Sequence, residues 1–591
     1  MDGTRPMTIP ACLDLAAERF EERLAYIEGD EQINWGNMRL AADEVAAGLI
    51  ERGLQQGDRV AICAENSIDW LIAYHAIVRA GGAGVLVYHE LQPAEIERQV
   101  CWPESRFLFA SAVVQAKLPG PIKGIEETFI LGAPPASGDR FSDVADWATL
   151  RSREELAARL SAPDDLAAIV YTSGTTGGAK GVMLSHRNFM SNGHSALAAL
   201  DVSGSDSVLL VLPLHHAMPF LATVVLPALV GAHFIIENDL RRIRDRLQEQ
   251  RPTIFFGVPA LFELMYRNVL ARAESEGRLN TLLKLQSVVR GAKRATGLNL
   301  GPLVFRRIHK ALGGRLRFLV SGGAALKPQT ALDFFSLGLP LLQGWGMTEA
   351  SPAIAVQRFS PGRFRFTRHY ERLAGSVGQA LDGVELQLVD VPEKEIRVAD
   401  SGEGEMLARG ENVFMGYWQA ADATALARQD GWLRTGDLGR IDKEGNIFLT
   451  GRSKYIIVLD SGEKVHPDEL EENLGESDLI EDVCIVGREA RDKVQVTAVI
   501  YPSVEEFQAT ASGADGRNEE LLRHAVQSEV ERLGRQLAAY KRVSAIELSD
   551  EPLPKTALQK VARGRIADTY AFNFERWQRS SNKPSPSGRV G

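Results

Sequence analysis

Directly after the apolar run at residues 166–170 the chain reads Tyr-Thr-Ser-Gly-Thr-Thr-Gly-Gly-Ala-Lys-Gly-Val, residues 171–182. A buried strand that empties into a Gly/Ser/Thr loop is how α/β proteins approach phosphate. Glycine lets the backbone come close to an anion, the N–H groups point inward, and hydroxyls and a lysine complete the cradle. The loop is not a Walker A sequence, because Ala179 precedes Lys180 and Gly181 follows it. A flexible linker is the competing reading. The strand before the loop, the lysine within it and the helical spacing of residues 188–200 argue against that.

Further along, apolar runs at 59–63, 83–87, 208–212, 233–236, 253–258 and 316–320 alternate with helical spacing at 12–20, 70–79, 261–271 and 303–312. That alternation predicts α/β architecture, mainly parallel sheets covered by helices. Residues 375–450 carry short strands and many glycines, as in a barrel-like subdomain. After Gly451 the chain restarts, with strand character at 455–459 and 494–500 and helices from Pro467 and over 519–537. This predicts a small separate α+β domain. Residues 580–591 are rich in Ser, Pro, Gly and Arg, the composition of a disordered tail.

A net charge of −10 argues against a nucleic-acid binder. The four cysteines are widely spaced and form no CxxC pair, which points to a reducing compartment. With no signal-like N-terminus, a cytoplasmic location is expected. The longest apolar stretch, 217–232, holds two prolines and is too short for a confident span. Peripheral membrane contact is left open.

Five more segments carry chemistry. Ser321-Gly322-Gly323-Ala324-Ala325 follows one apolar run, and Gln343-Gly344-Trp345-Gly346-Met347-Thr348-Glu349 follows another. Both are expected beyond strand ends, where open parallel sheets place ligands. The flanking glycines leave a face of Trp345 accessible for stacking. Thr348 offers a hydroxyl to phosphate, and Glu349 a hard oxygen for Mg²⁺. Asp437, in Thr435-Gly436-Asp437, presents two oxygens that suit a cis-diol, although a turn aspartate is the plainer reading. Gly451-Arg452-Ser453-Lys454 and Pro554-Lys555-Thr556-Ala557-Leu558-Gln559-Lys560 complete the series.

Six such segments in this order resemble the adenylate-forming superfamily of acyl-CoA synthetases, peptide-synthetase adenylation domains and luciferases. The likeness is greatest to long-chain fatty-acid–CoA ligases. It implies an N-terminal adenylation domain over 1–451, a mobile C-terminal domain over 452–575 and a tail over 576–591. It implies ATP, Mg²⁺ and coenzyme A as cofactor and co-substrates, and activation of a medium- or long-chain fatty acid through acyl-AMP to acyl-CoA. Nucleotide binding then falls to Thr172, Ser173, Gly174, Thr175, Thr176, Gly177 and Lys180, to Gly322, Gly323 and Ala324, and to Gly344, Trp345, Gly346 and Thr348. The family more often has Tyr at the place of Trp345. Asp437 and Arg452 would hold the ribose, and Glu349 with Thr175 the metal. Lys560 would bridge carboxylate and α-phosphate, although Gln559 stands where the family usually has Gly. Lys454 would be the hinge, and Gly462 would lie in the loop presented to the thiol. His216, in Pro213-Leu214-His215-His216, aligns with the family's acyl-site histidine; a structural histidine is the equal alternative. The apolar segment 214–230 suits an alkyl or aryl tail, and much of it must be core. Three rivals remain: an acyl-AMP ligase that delivers to a carrier protein, a catalytically silent nucleotide-binding scaffold, and a luciferase-type oxidase, which shares the adenylation motifs.

Overall fold

The computed structural model describes residues 5–132, 145–152, 160–172, 179–359, 370–460, 463–490, 493–504, 506–507, 519–555, 561–563 and 565–566. The chain divides into two compact units. The first holds residues 1–387, 406–435 and 441–448, and the second 388–405, 436–440 and those from 449 on. The chain thus enters the second unit at Leu388, upstream of the expected boundary at Gly451.

Two large sheets build the first unit. The eight-stranded sheet contains Ala83–Leu86, Arg59–Cys63, Ser105–Ser111 and Glu127–Leu131 as parallel neighbours. Next to Ala83–Leu86 lies Leu166–Thr172 (β1), also parallel. The strand after it, Lys180–Ser185 (β2), returns antiparallel to β1 with Thr172 opposite Lys180. The sequence reading passes from loop to helix and misses β2, which is a six-residue strand inserted before His186–Leu200 (α1). α1 begins with a capping box between Ser185 and Asn188.

The nine-stranded sheet has a parallel core of His233–Ile236, Ser207–Leu210, Ile254–Gly257 (β3), Phe318–Ser321 (β4) and Leu341–Gly346 (β5). In register, Gly257 faces Ser321 and Ser321 faces Gln343, so β3 and β4 end together and β5 runs three residues further, to Gly346. The short strand Gly416–Tyr417 (β6) comes back to the first sheet and pairs antiparallel with β2, Tyr417 opposite Val182.

Helices cover these sheets. Pro259–Ser275 (α2), Leu279–Thr296 (α3), Gly301–Val304 (α4), Arg306–Ala311 (α5) and Pro328–Leu337 (α6) surround a small satellite core of Leu282, Val289, Phe305 and Leu337. The helix expected over 303–312 is two short helices that break at Phe305 (φ −102°, ψ 34°), outside helical geometry. α3 is absent from the sequence reading.

A five-stranded sheet occupies the glycine-rich region expected at 375–450. The second unit has a three-stranded sheet of Ile480–Ala490, Lys493–Pro502 and Ala545–Leu548, with Pro467–Leu474 and Glu519–Gly534 packed on it through Leu470, Ile485, Val496, Val526 and Val530. Only Ile457–Val458 of the expected strand 455–459 pairs, because Ser453–Tyr455 is a 3-10 turn. The expected tail lies outside the described residues. Among the described residues no helix is long and apolar enough to cross a membrane.

Candidate active site

The β1–β2 hairpin carries the signature loop at its tip. Ser173, Gly174, Thr175, Thr176 and Gly177 lie outside the described residues, whereas Thr172 and Lys180 flank them in direct register. Lys180 is half-buried, and its Nζ stands 4.9 Å from the centroid of the Tyr417 ring, a cation–π contact. Tyr417 reaches this position because β6 is sewn to β2: Met415 N donates to Met183 O (3.0 Å) and Trp418 N to Gly181 O (2.8 Å).

The same tyrosine meets the second motif. Its hydroxyl donates to Glu349 Oε1 at 2.7 Å, and Phe414 N donates to Glu349 O at 2.9 Å. Burial, and next the Glu349 charge, push the Tyr417 hydroxyl far above its usual pKa, so it stays a donor. Glu349 itself is 7% exposed, in a 3-10 turn, Thr348–Ala350, beyond β5. The turn is held by amides: Asn412 Nδ2 donates to Ala350 O (3.0 Å) and Ala353 O (3.1 Å), and Asn192 Nδ2 to Ala353 O (2.7 Å). Asn188 anchors the segment before Tyr417 by donating to Glu411 O (2.7 Å) and Val413 O (3.0 Å). Thus Lys180, Tyr417 and Glu349 form one constellation. The sequence reading found the lysine and the glutamate and missed Tyr417, whose only local signal is Gly416 before an aromatic pair.

Trp345 is 6% exposed, so the indole is packed and not open as its flanking glycines suggest. Those glycines differ. A Cβ on Gly346 would lie 1.9 Å from Pro352 O, whereas one on Gly344 would meet nothing closer than 3.7 Å. Thr348 is half-buried beside Glu349. Beyond the end of β4, a Cβ on Gly322 would lie 2.4 Å from Met218 Sδ, and Gly323 has φ +80°. Ala324 is half-exposed in the same turn.

Met218 links that turn to the segment expected to line the acyl site. Phe220, Leu221, Ala222, Val224, Val225 and Leu226 are all buried, and Phe220 packs against Tyr74 and Phe189, both with centroids at 4.7 Å. They are core. His216 and Met218 are the polar and the half-exposed members that precede it. His216 is half-buried, its Nε2 is shielded from solvent with no hydrogen-bond partner among the described residues, and desolvation pushes its pKa down to about 4. It is therefore neutral near pH 7. Its neighbour His215 stacks on Tyr88 (4.4 Å, 26°). Asn66 grips this bend: its Nδ2 donates to Leu212 O (3.0 Å) and its Oδ1 accepts from Leu214 N (2.8 Å).

In the second unit Asp437 and Arg452 form an ion pair, Nε to Oδ1 2.8 Å, with Asp437 6% exposed. Asp437 lies within the strand Trp432–Ile441, directly after Gly436 (φ +69°), whose N–H donates to Glu405 Oε1 at 3.2 Å. Lys454 lies in the 3-10 turn Ser453–Tyr455, with Nζ 4.6 Å from the Tyr455 ring centroid. Gly462 and Lys560 lie outside the described residues. The neck of the Lys560 loop is described: Lys555 pairs antiparallel with Val561, and the Lys555 ammonium contacts Asp482 Oδ1 at 2.8 Å.

Residues 13–418 match the AMP-binding enzyme family, and residues 454–579 match the AMP-binding enzyme C-terminal domain. The long-chain-fatty-acid–CoA ligase FadD15 of Mycobacterium bovis is 30% identical over 573 residues, covering 90% of this chain and 91% of its own. The human long-chain-fatty-acid–CoA ligase 1 is 28% identical over 88% of this chain and 78% of its own. Among solved structures, an anthranilate CoA ligase with bound anthranoyl-AMP shares the fold with a TM-score of 0.75 at 22% identity, covering 97% of this chain and 98% of that one.

Proposed function

The chain belongs to the AMP-binding enzyme family, and from that premise we propose that it activates a medium- or long-chain fatty acid with ATP and transfers the acyl group to coenzyme A. The observation that carries this reading is the Lys180–Tyr417–Glu349 constellation, set in a chain similar over nine-tenths of its length to a named long-chain ligase.

In the first step a carboxylate oxygen of the acid attacks the α-phosphorus of ATP. The bond to the β-phosphate oxygen breaks, pyrophosphate leaves and acyl-AMP remains. Lys180 offsets phosphate charge, and Tyr417 keeps the ammonium and the Glu349 carboxylate at fixed separation before the nucleotide arrives. Fixed charges of this kind need no reorganisation as charge develops. Lys560 would neutralise the charge between carboxylate and α-phosphate, and Asp437 with Arg452 would hold the ribose. In the second step the thiol sulfur attacks the carbonyl carbon, AMP leaves and the thiol proton passes to solvent.

Glu349 fits a Mg²⁺ ion. One carboxylate oxygen is engaged by Tyr417, and no cluster of three His, Cys, Asp or Glu is present among the described residues. Mg²⁺ takes one or two carboxylates and completes its shell with phosphate oxygens and water. When bound, it would neutralise charge on the nucleotide phosphates.

The test is mass-spectrometric detection of products from ATP, Mg²⁺ and a panel of short, medium, long and aromatic acids, with and without coenzyme A. Acyl-CoA from fatty acids, formed only when coenzyme A is present, is the expected result. Acyl-AMP that accumulates regardless of coenzyme A would transfer the assignment to a carrier-protein acceptor. No adduct with any acid would leave the silent-scaffold reading.

A further inference from the structure

The chain is acidic overall, yet between Glu276 and Asp333 it contains eleven Lys and Arg residues and no carboxylate. This stretch supplies α3, α4, α5 and the start of α6. Its inward residues are accounted for. Leu282, Gln286, Val289 and Lys293 form the buried side of α3, with Lys293 Nζ donating to Phe335 O at 3.3 Å. Arg317 is paired with Asp206 and Arg294 with Glu371. Lys284, Arg306, Arg307 and Lys310 are exposed and form no ion pair among the described residues.

The outward side is also apolar. Leu283, Leu285, Val288, Leu298, Leu303 and Val304 are six of the seventeen large hydrophobic side chains that are exposed among the described residues, and Leu303 is 78% exposed. Single exposed leucines are ordinary, but six within residues 283–304 are a cluster. Several exposed cationic side chains interleaved with aliphatic tips suit a surface that is anionic at its boundary and apolar just beneath. A leaflet with anionic lipid headgroups has that profile, whereas the acidic face of a folded protein offers charge without the apolar depth.

We infer that the outer side of the α3–α5 cluster docks this protein on anionic membrane surfaces. The basic side chains engage lipid phosphates, and the aliphatic tips enter the headgroup–acyl boundary. Association is peripheral and weakens with salt, because charges near an anionic surface act only within a Debye length. The inference stands on charge and exposure alone and does not depend on which acid the enzyme activates.

The experiment is flotation of the full-length protein with vesicles of phosphatidylcholine, or of phosphatidylcholine with about a third phosphatidylglycerol, the composition that supplies negative surface potential. Wild-type protein is expected to float with the anionic vesicles at low salt, to release at high salt and to ignore pure phosphatidylcholine. Combined Lys284→Glu, Arg306→Glu, Arg307→Glu and Lys310→Glu should lower the bound fraction at least about tenfold, since each basic residue near the surface contributes. Paired Val288→Ser and Leu303→Ser should lower it too, with product formation from soluble substrates unchanged. Thermal melts check that the variants are folded; should the fourfold variant not fold, Arg306→Gln with Arg307→Gln takes its place. Wild type that fails to float with anionic vesicles, or variants that float like wild type, would overturn the inference. Retention on an acidic protein without vesicle binding would overturn it in favour of a protein partner.

Discussion

Tyr417 is where the two charges of the site meet, since its ring faces Lys180 and its hydroxyl bonds Glu349. The two functions separate by substitution. Tyr417→Phe keeps the ring and removes a hydrogen bond to a charged group, worth about 1.5–3 kcal/mol. It should lower kcat/KM for acyl-AMP formation by roughly ten- to a hundredfold, while Tyr417→Ala should lower it further. Pyrophosphate exchange with labelled ATP measures both, and equal activity of wild type and Tyr417→Phe would remove the tyrosine from the site. Lys180 was legible in the sequence because it sits in a run of Gly, Ser and Thr that has few other uses, and Glu349 because it closes the Gly-Trp-Gly-Met-Thr segment that follows an apolar run. Tyr417 was not, because what makes it functional is a two-residue strand pairing with a hairpin far upstream, and nothing at positions 414–418 encodes that partner.

At the scale of elements, β5 shows how a strand holds its motif. Gly344 and Gly346 flank Trp345 symmetrically in sequence but not in space, since only a Cβ on Gly346 collides with backbone, at Pro352 O. Gly346→Ala should therefore lower the melting temperature and activity together, by about 1–3 kcal/mol or more of stability as for other overpacked sites. Gly344→Ala should be near neutral in chemical denaturation. Reversal of that order would mean that the Pro352 turn yields where β5 does not. The parallel strands were readable as short apolar runs, because a strand buried on both faces needs only apolar residues. The helix α3 was not, because Leu283, Leu285 and Val288 point outward and blur the 3.6-residue stripe by which a helix is recognised. β2 was hidden for another reason: Gly181 and a half-exposed Met183 dilute its apolar signal.

Across the whole molecule, buried histidines set the response to acid. Desolvation pushes His75 down to about 3 and His186 and His216 to about 4, and His215 goes down in the same direction. Unfolded histidines titrate near 6.5. Below that pH the unfolded chain takes up protons that the folded chain refuses, so the stability is complete above about 6.5 and is lost as pH falls towards 4. Asp333, held up at about 6 by burial, opposes this, as do Glu28, Asp69 and Glu471, which burial also raises, whereas His89, His194, His233 and His309 go down with the other rings. Unfolding near pH 5.5 therefore takes up protons on the histidines, and each net proton lowers stability by about 1.4 kcal/mol per pH unit. Denaturant midpoints at pH 7.5 and pH 5.5 (about one unit either side of the histidine value) should differ accordingly; a flat profile would contradict the burial of these rings. The C-terminal lysine can be tested without reference to its surroundings. Lys560→Ala should nearly abolish acyl-AMP formation and spare thioester formation from supplied acyl-AMP. Equal loss of both half-reactions would deny it that division of labour.

The pairing of β6 with β2 also has a temporal side. A ribosome that has completed Lys180 must add roughly 240 more residues before Tyr417 exists, a delay of about ten seconds to a minute at ordinary elongation rates. Throughout that interval β2 is the open edge of its sheet, with unpaired N–H and C=O groups facing solvent or a chaperone. Nascent chains released before Gly416 should be captured by chaperones or aggregate through that edge, whereas chains released just beyond Trp418 should not.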